Sequence, residues 1–106
     1  MTGQLDIFGA AIDQRDPLEL RFEAFHEANP NVYRLFERFT KEAIAAGRVR
    51  IGAKAIFERM RWYFAFETTG DTFKLNNSFT SFYARLFMAD HPEHADLFET
   101  RERRSA

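Results

Sequence analysis

Apolar residues along the chain mostly recur three and four apart, and this pattern is punctuated by a few Pro, Gly and Asn positions. Asp16-Pro17-Leu18-Glu19 predicts a helix start: Asp16 caps, Pro17 suits the first turn, and Glu19 completes a capping-box-like spacing. Leu18, Phe22 and Phe25 mark its buried stripe. Asn29-Pro30 repeats the device, ending one helix and starting the next, in which Val32, Leu35, Phe36, Phe39 and Ala43 face inward and Gly47 supplies the stop. Arg48-Val49-Arg50-Ile51 alternates charged with apolar residues and predicts a short strand, pairing with the first residues of the stretch from Phe98 to Arg104.

Gly52 opens a third helix over 53–67, with Ala53, Ile56, Phe57, Met60 and Phe64 along one side and Trp62, Tyr63 and Phe66 widening the apolar surface. Glu67 to Thr72 predicts a loop. In the stretch from Lys74 to Phe87, Phe79, Phe82, Tyr83, Leu86 and Phe87 share one helical face, and Asn77 or Ser78 caps the start. The opposite face carries Thr80, Ser81, Ala84 and Arg85, preceded by Lys74, Asn76 and Asn77. Asp90-His91-Pro92-Glu93 ends that helix, and Leu97 and Phe98 are the last apolar anchors.

These elements predict a mainly α, small helical domain. Their order (helix, short strand, helix, loop, amphipathic helix, terminal strand) is that of a winged-helix or helix-turn-helix-like fold with a minimal two-stranded sheet. Residues 1–15 lack a sustained period and read as a flexible tail, residues 16–101 as one domain, and residues 102–106 as a frayed end. A chain of 106 residues suits a single core, and its 13 phenylalanines supply much of the area to be buried. The absence of cysteine excludes disulfides, thiolate metal sites and thiol nucleophiles, and fits a reducing cytoplasm. No apolar run approaches the roughly 18 to 20 residues that a membrane span needs, and the first residues carry neither a basic leader nor a long apolar stretch.

Little in the sequence points to catalysis. It has no glycine-rich phosphate loop, no nucleophile elbow and no paired metal-ligand motif, so the expectation is a protein that is not an enzyme and takes no cofactor. His91 and His94 stand near Asp90, Glu93 and Asp96, but Pro92 breaks the helical spacing and the group reads as a solvated turn. His26 reads as solvated or locally hydrogen-bonded.

Charge adds a partner class. The formal net charge is -1, yet residues 1–47 hold five Lys/Arg and eight Asp/Glu, whereas residues 48–87 hold seven Lys/Arg and three Asp/Glu. In the helix-turn-helix-like reading, residues 78–89 form the recognition helix. Asn76, Asn77, Thr80, Ser81 and Arg85 then face DNA, since Asn amides suit adenine and Arg suits guanine or phosphate. Arg48, Arg50, Lys54, Arg59, Arg61 and Lys74 would supply phosphate contacts.

Two resemblances complete the picture. Gln4-Leu5-Asp6-Ile7-Phe8 resembles the pentapeptide by which bacterial proteins bind the sliding clamp, with Ile7 a conservative departure. On that reading Leu5, Ile7 and Phe8 fill an apolar pocket and Gln4 orients them. The segments FEAFHEANPNVYRLFERF, RIGAKAIFERMRW, ETTGDTFKLNNSFTSFYARLF and HPEHADLFETR resemble a family of small proteins encoded in bacteriophages and prophages, one without an assigned activity. That resemblance implies an intracellular bacterial or phage setting and no catalytic residues. The function expected is therefore a DNA-binding or DNA-complex-associated protein with a replication or regulatory role. The alternatives are a clamp-binding module and a homodimer formed through Trp62, Tyr63 and Phe66.

Overall fold

Helix boundaries follow local capping chemistry. The computed structural model describes residues 16–67 and 75–99. Among these it places α1 at Pro17–Ala28, α2 at Pro30–Ala45, α3 at Ala53–Trp62 and α4 at Thr80–Asp90. The Asp16 carboxylate accepts the Leu18 amide at 2.8 Å, which satisfies one donor at the start of α1. Asn29 acts differently from expectation: its side-chain amide donates back to the Phe25 carbonyl at 3.0 Å, closing α1, and makes no side-chain cap on α2. Gly47 does end α2. At φ 97 it takes the left-handed conformation that glycine adopts without strain. The amides of Gly47 and Arg48 then reach the carbonyls of Ile44 and Ala43 at 2.9 and 3.1 Å, the paired bonds of a Schellman close.

The expected two-stranded sheet is absent among the described residues. What remains of it is one parallel bridge between Ile51 and Phe98, with the Ile51 amide donating to the Leu97 carbonyl at 2.9 Å. The physical reason lies in the partner segment. Leu97 and Phe98 are adjacent and both buried, whereas a strand sends adjacent side chains to opposite faces. On the other side Val49 is 81% exposed, so no apolar face exists for a ladder to cover.

The third predicted helix spans its expected length but changes pitch. α3 ends at Trp62 and Tyr63–Glu67 continue as a π-helical turn, a rare conformation that recurs at functional positions. A 3-10 turn, Asn77–Phe79, leads into α4, and its cap is Asn76 rather than Asn77 or Ser78: the Asn76 side chain accepts the Ser78 amide at 2.9 Å.

Helix α4 lies at the centre of the core. Tyr83 is fully buried, and its ring lies 4.8 Å from Phe22 of α1, 5.7 Å from Phe36 of α2 and 5.9 Å from Phe57 of α3. Phe79, Ala84 and Phe87 are buried beside it, while Phe82 and Leu86 are half-buried. Ala84 was expected on the polar face; it is fully buried because α4 packs against both α2 and α3, and a methyl side chain fits that double contact. The terminal segment closes the core, with the Phe98 ring 5.5 Å from Phe36 and 5.9 Å from Phe87.

Candidate functional site

A covered α4 leaves α3 as the element that presents a patterned outer face. Lys54, Ala55, Glu58 and Trp62 are all exposed, at the three- and four-residue spacing of one helical side, while Ile56, Phe57 and Met60 are buried on the other. The π-helical turn extends the outer face to Phe66. Trp62 is 58% and Phe66 70% exposed, with their ring centroids 4.6 Å apart at an interplanar angle of 49°. These large aromatic side chains are left in water and packed on each other rather than into the core, so this face carries an exposed apolar patch.

Guanidinium groups stand on both flanks of this face. On the α2 side, Arg59 lies 4.0 Å above the Phe39 ring and donates to Glu67 at 3.0 and 3.5 Å. Arg38 of α2 joins it there, 5.1 Å from the Phe39 ring and 5.6 Å from that of Tyr63, with Glu42 at 3.5 Å. On the α4 side, Arg61 donates to Glu58 at 2.7 Å, to the Leu75 carbonyl at 3.2 Å and to the Asn77 side chain. Arg61 therefore ties α3 to the entry of α4 while leaving part of its guanidinium exposed.

The residues predicted to contact DNA divide accordingly. Arg61, Asn76 and Asn77 come together at the start of α4, where Asn76 is occupied as a cap. The Thr80 hydroxyl turns inward to donate to the Asn77 carbonyl at 3.0 Å. Ser81 and Arg85 are half-buried on the outer side of α4, and the Arg85 guanidinium lies 5.6 Å above the Phe82 ring. Arg59 stands on the opposite flank of α3 from Arg61. Arg48, Arg50 and Lys54 are exposed at the other end of α3, Arg50 with Glu99 at 3.9 Å. Arg48 and Val49 also form one wall of a groove of about 450 Å³ whose other wall carries Glu93, His94 and Asp96. Lys74 and the pentapeptide Gln4 to Phe8 lie outside the described residues, as do both tails and the loop over 68–72.

Some contributors escape the sequence reading. Arg34, Arg38 and Lys41 are exposed together on the outer face of α2, spaced four and three apart. Their spacing was readable, but they sit in the half of the chain whose overall charge is acidic. His91, expected in a solvated turn, instead has Nε2 2.8 Å from the Glu37 carboxylate, its side chain 18% exposed, so the turn is tied to α2. Among the described residues no group of three or more His, Asp or Glu is arranged to hold a metal ion. No described helix is long and apolar enough to cross a membrane. His26 is half-buried among rings: it stacks on Phe22 at 5.7 Å, and its buried Nδ1 has no hydrogen-bond partner among the described residues.

Two tyrosines, fully buried Tyr83 and half-buried Tyr33, have perturbed hydroxyls. Burial pushes the Tyr83 hydroxyl well above the usual phenol range. Burial does the same to Tyr33, helped by its hydrogen bond to Asp90 at 2.6 Å and by the negative charges of Glu37 and Asp90. No family model, curated protein or solved structure matches the chain.

Proposed function

We propose that this chain is a small helical protein that binds DNA or a DNA-bound complex, in a replication or regulatory role and with no catalytic step of its own. The observation that carries the reading is the outer face of α3. One loop and helix carry five cations against the single carboxylate of Glu58 in that stretch: Arg59 and Arg61 flank the exposed aromatic pair, and Arg48, Arg50 and Lys54 stand at the other end of α3. Arg34, Arg38 and Lys41 extend the cationic surface along α2. The resemblance to phage-encoded small proteins supports an intracellular setting in which DNA is available.

A winged-helix or helix-turn-helix-like use of α4 is the finer form of this reading. Its contacts would come from Asn77, Ser81 and Arg85, with Arg61 beside them. Anisotropy titration of labelled single-stranded and duplex DNA at two salt concentrations tests the proposal. With about four phosphate contacts, the slope of log K against log salt is expected near -3. Binding without salt dependence, or no binding, refutes it.

The pentapeptide Gln4 to Phe8 favours a second reading, compatible with the first: tethering to the bacterial sliding clamp. Leu5→Ala with Phe8→Ala should abolish clamp pull-down, and unchanged capture would dispose of the tether. A homodimer is a third reading. Its surface would centre on Trp62 and Phe66, because Tyr63 is half-buried with its ring 5.6 Å from Phe39.

A further inference from the structure

Resting on the nucleic-acid reading, we infer that the ligand of the α3 face is single-stranded DNA, with a base stacked on Trp62 and Phe66. The observations favour a single strand over a duplex on two counts. A duplex offers its bases edge-on in the grooves, and reading them takes an element that projects. Helix α4 does not project: every described position from Thr80 to Met88 is buried or half-buried. A single strand instead offers unstacked base faces, which exposed aromatic side chains bind with little regard to sequence.

Arrangement along α3 matches that ligand. Trp62 and Phe66 are the large exposed aromatics of the described residues. Arg59 with Arg38 stands on one flank and Arg61 on the other, so a base on the rings has its phosphates within reach of cations on either side. Lys54, eight residues before Trp62, lies roughly 12 Å along the helix from it at 1.5 Å per residue. An unstacked strand is more extended than the roughly 3.4 Å per nucleotide of a duplex strand, so it covers that distance in at most three to four steps. Three carboxylates lie beside these cations, Glu42, Glu58 and Glu67, each in an ion pair at the surface for which a phosphate competes. The aromatic pair is also what makes a protein partner the competing occupant, and the assay separates the two.

Trp62 is the sole tryptophan, so its fluorescence reports on the contact directly. An oligodeoxythymidylate of roughly twelve nucleotides, within the range of single-strand site sizes, is titrated against the full chain and compared with a duplex of similar length. The expected result is quenching by the single strand and none by the duplex. Trp62→Ala, followed by anisotropy, is expected to weaken single-strand binding roughly tenfold, with Trp62→Phe recovering most of it. Because Trp62 is 58% exposed, circular dichroism should show both variants folded. Salt-dependent binding of single strand and duplex alike, without quenching and unaffected by Trp62→Ala, overturns the inference and leaves the nucleic-acid reading standing. Binding to neither overturns both. A concentration-dependent Trp62 emission shift without DNA, matched by dimers in sedimentation, overturns the inference and assigns the pair to a second copy of the chain.

Discussion

Removing one oxygen from the centre of the core should make the protein more stable. Tyr83 is fully buried, and its hydroxyl has no hydrogen-bond partner among the described residues. An unsatisfied buried polar group costs about 1 to 3 kcal/mol. Tyr83→Phe removes that cost and leaves a void of about one small atom. At roughly 24 cal/mol per Å³, a void of about 10 Å³ returns only some 0.2 kcal/mol. The net expectation is stabilisation by about 1 kcal/mol, equivalent to a rise in Tm of roughly 4 to 8 °C for a domain of this size. Tyr33→Phe is the matched control of opposite sign. Its hydroxyl donates to the Asp90 carboxylate at 2.6 Å near the surface, so its loss should destabilise by about 1 kcal/mol. Urea denaturation followed by circular dichroism and by Trp62 emission measures both variants, and equal slopes make the midpoints comparable. If Tyr83→Phe destabilises as much as Tyr33→Phe, the buried hydroxyl is bonded and the account of this core is wrong.

The same two phenols set an alkaline limit. Both are held protonated in the folded chain above their usual range, so stability is fully present below about pH 10, where the unfolded phenol ionises, and falls as pH rises beyond it. Each contributes a loss of about 1.4 kcal/mol in all between pH 9 and 11, and Tyr83→Phe should remove one share, read from urea midpoints across that range. Asn76→Ala should cost about 1 kcal/mol through the lost cap whether or not DNA is present, so unchanged stability would remove Asn76 from the helix-starting role. Arg38→Gln, at a side chain 55% exposed, should leave Tm nearly unchanged and lower the salt slope of single-strand binding by about 0.7; an unaltered slope places the DNA elsewhere.

What the sequence made legible was what local chemistry decides. Asp16-Pro17 and Gly47 fix helix ends through bonds and dihedrals within a few residues, and both act as read. The inward stripes of α2 and α3 likewise follow from spacing, because Val32, Phe36, Phe39, Ile56, Phe57 and Met60 have no competing location. Misread positions depend on distant partners. Ala84 carries no polarity of its own, so only the approach of neighbouring helices reveals it as core. Phe98, an apolar anchor as read, also looks like the start of a strand until it and Leu97 prove to be buried side by side. The π-helical turn has no compositional signature, yet it helps present Phe66 beside Trp62. Arg38 was hidden by averaging: the charge of residues 1–47 mixes the cations of α2 with Glu19, Glu23 and Glu27 of α1.

The single bridge between Ile51 and Phe98 also bears on the order in which the molecule assembles and comes apart. Contacts between α1 and α2, and between α2 and α3, join segments adjacent in the chain, whereas this bridge closes a loop of more than forty residues with one backbone bond. Helix pairs should therefore form first and the terminal clasp last. In the native state the clasp is held by that bond and by the burial of Leu97 and Phe98, and its opening uncovers Phe36 and Phe87 without breaking a hydrogen bond inside the four helices. The Ile51 amide should thus exchange with solvent deuterium sooner than the helical amides of α4, through that brief opening rather than through global unfolding.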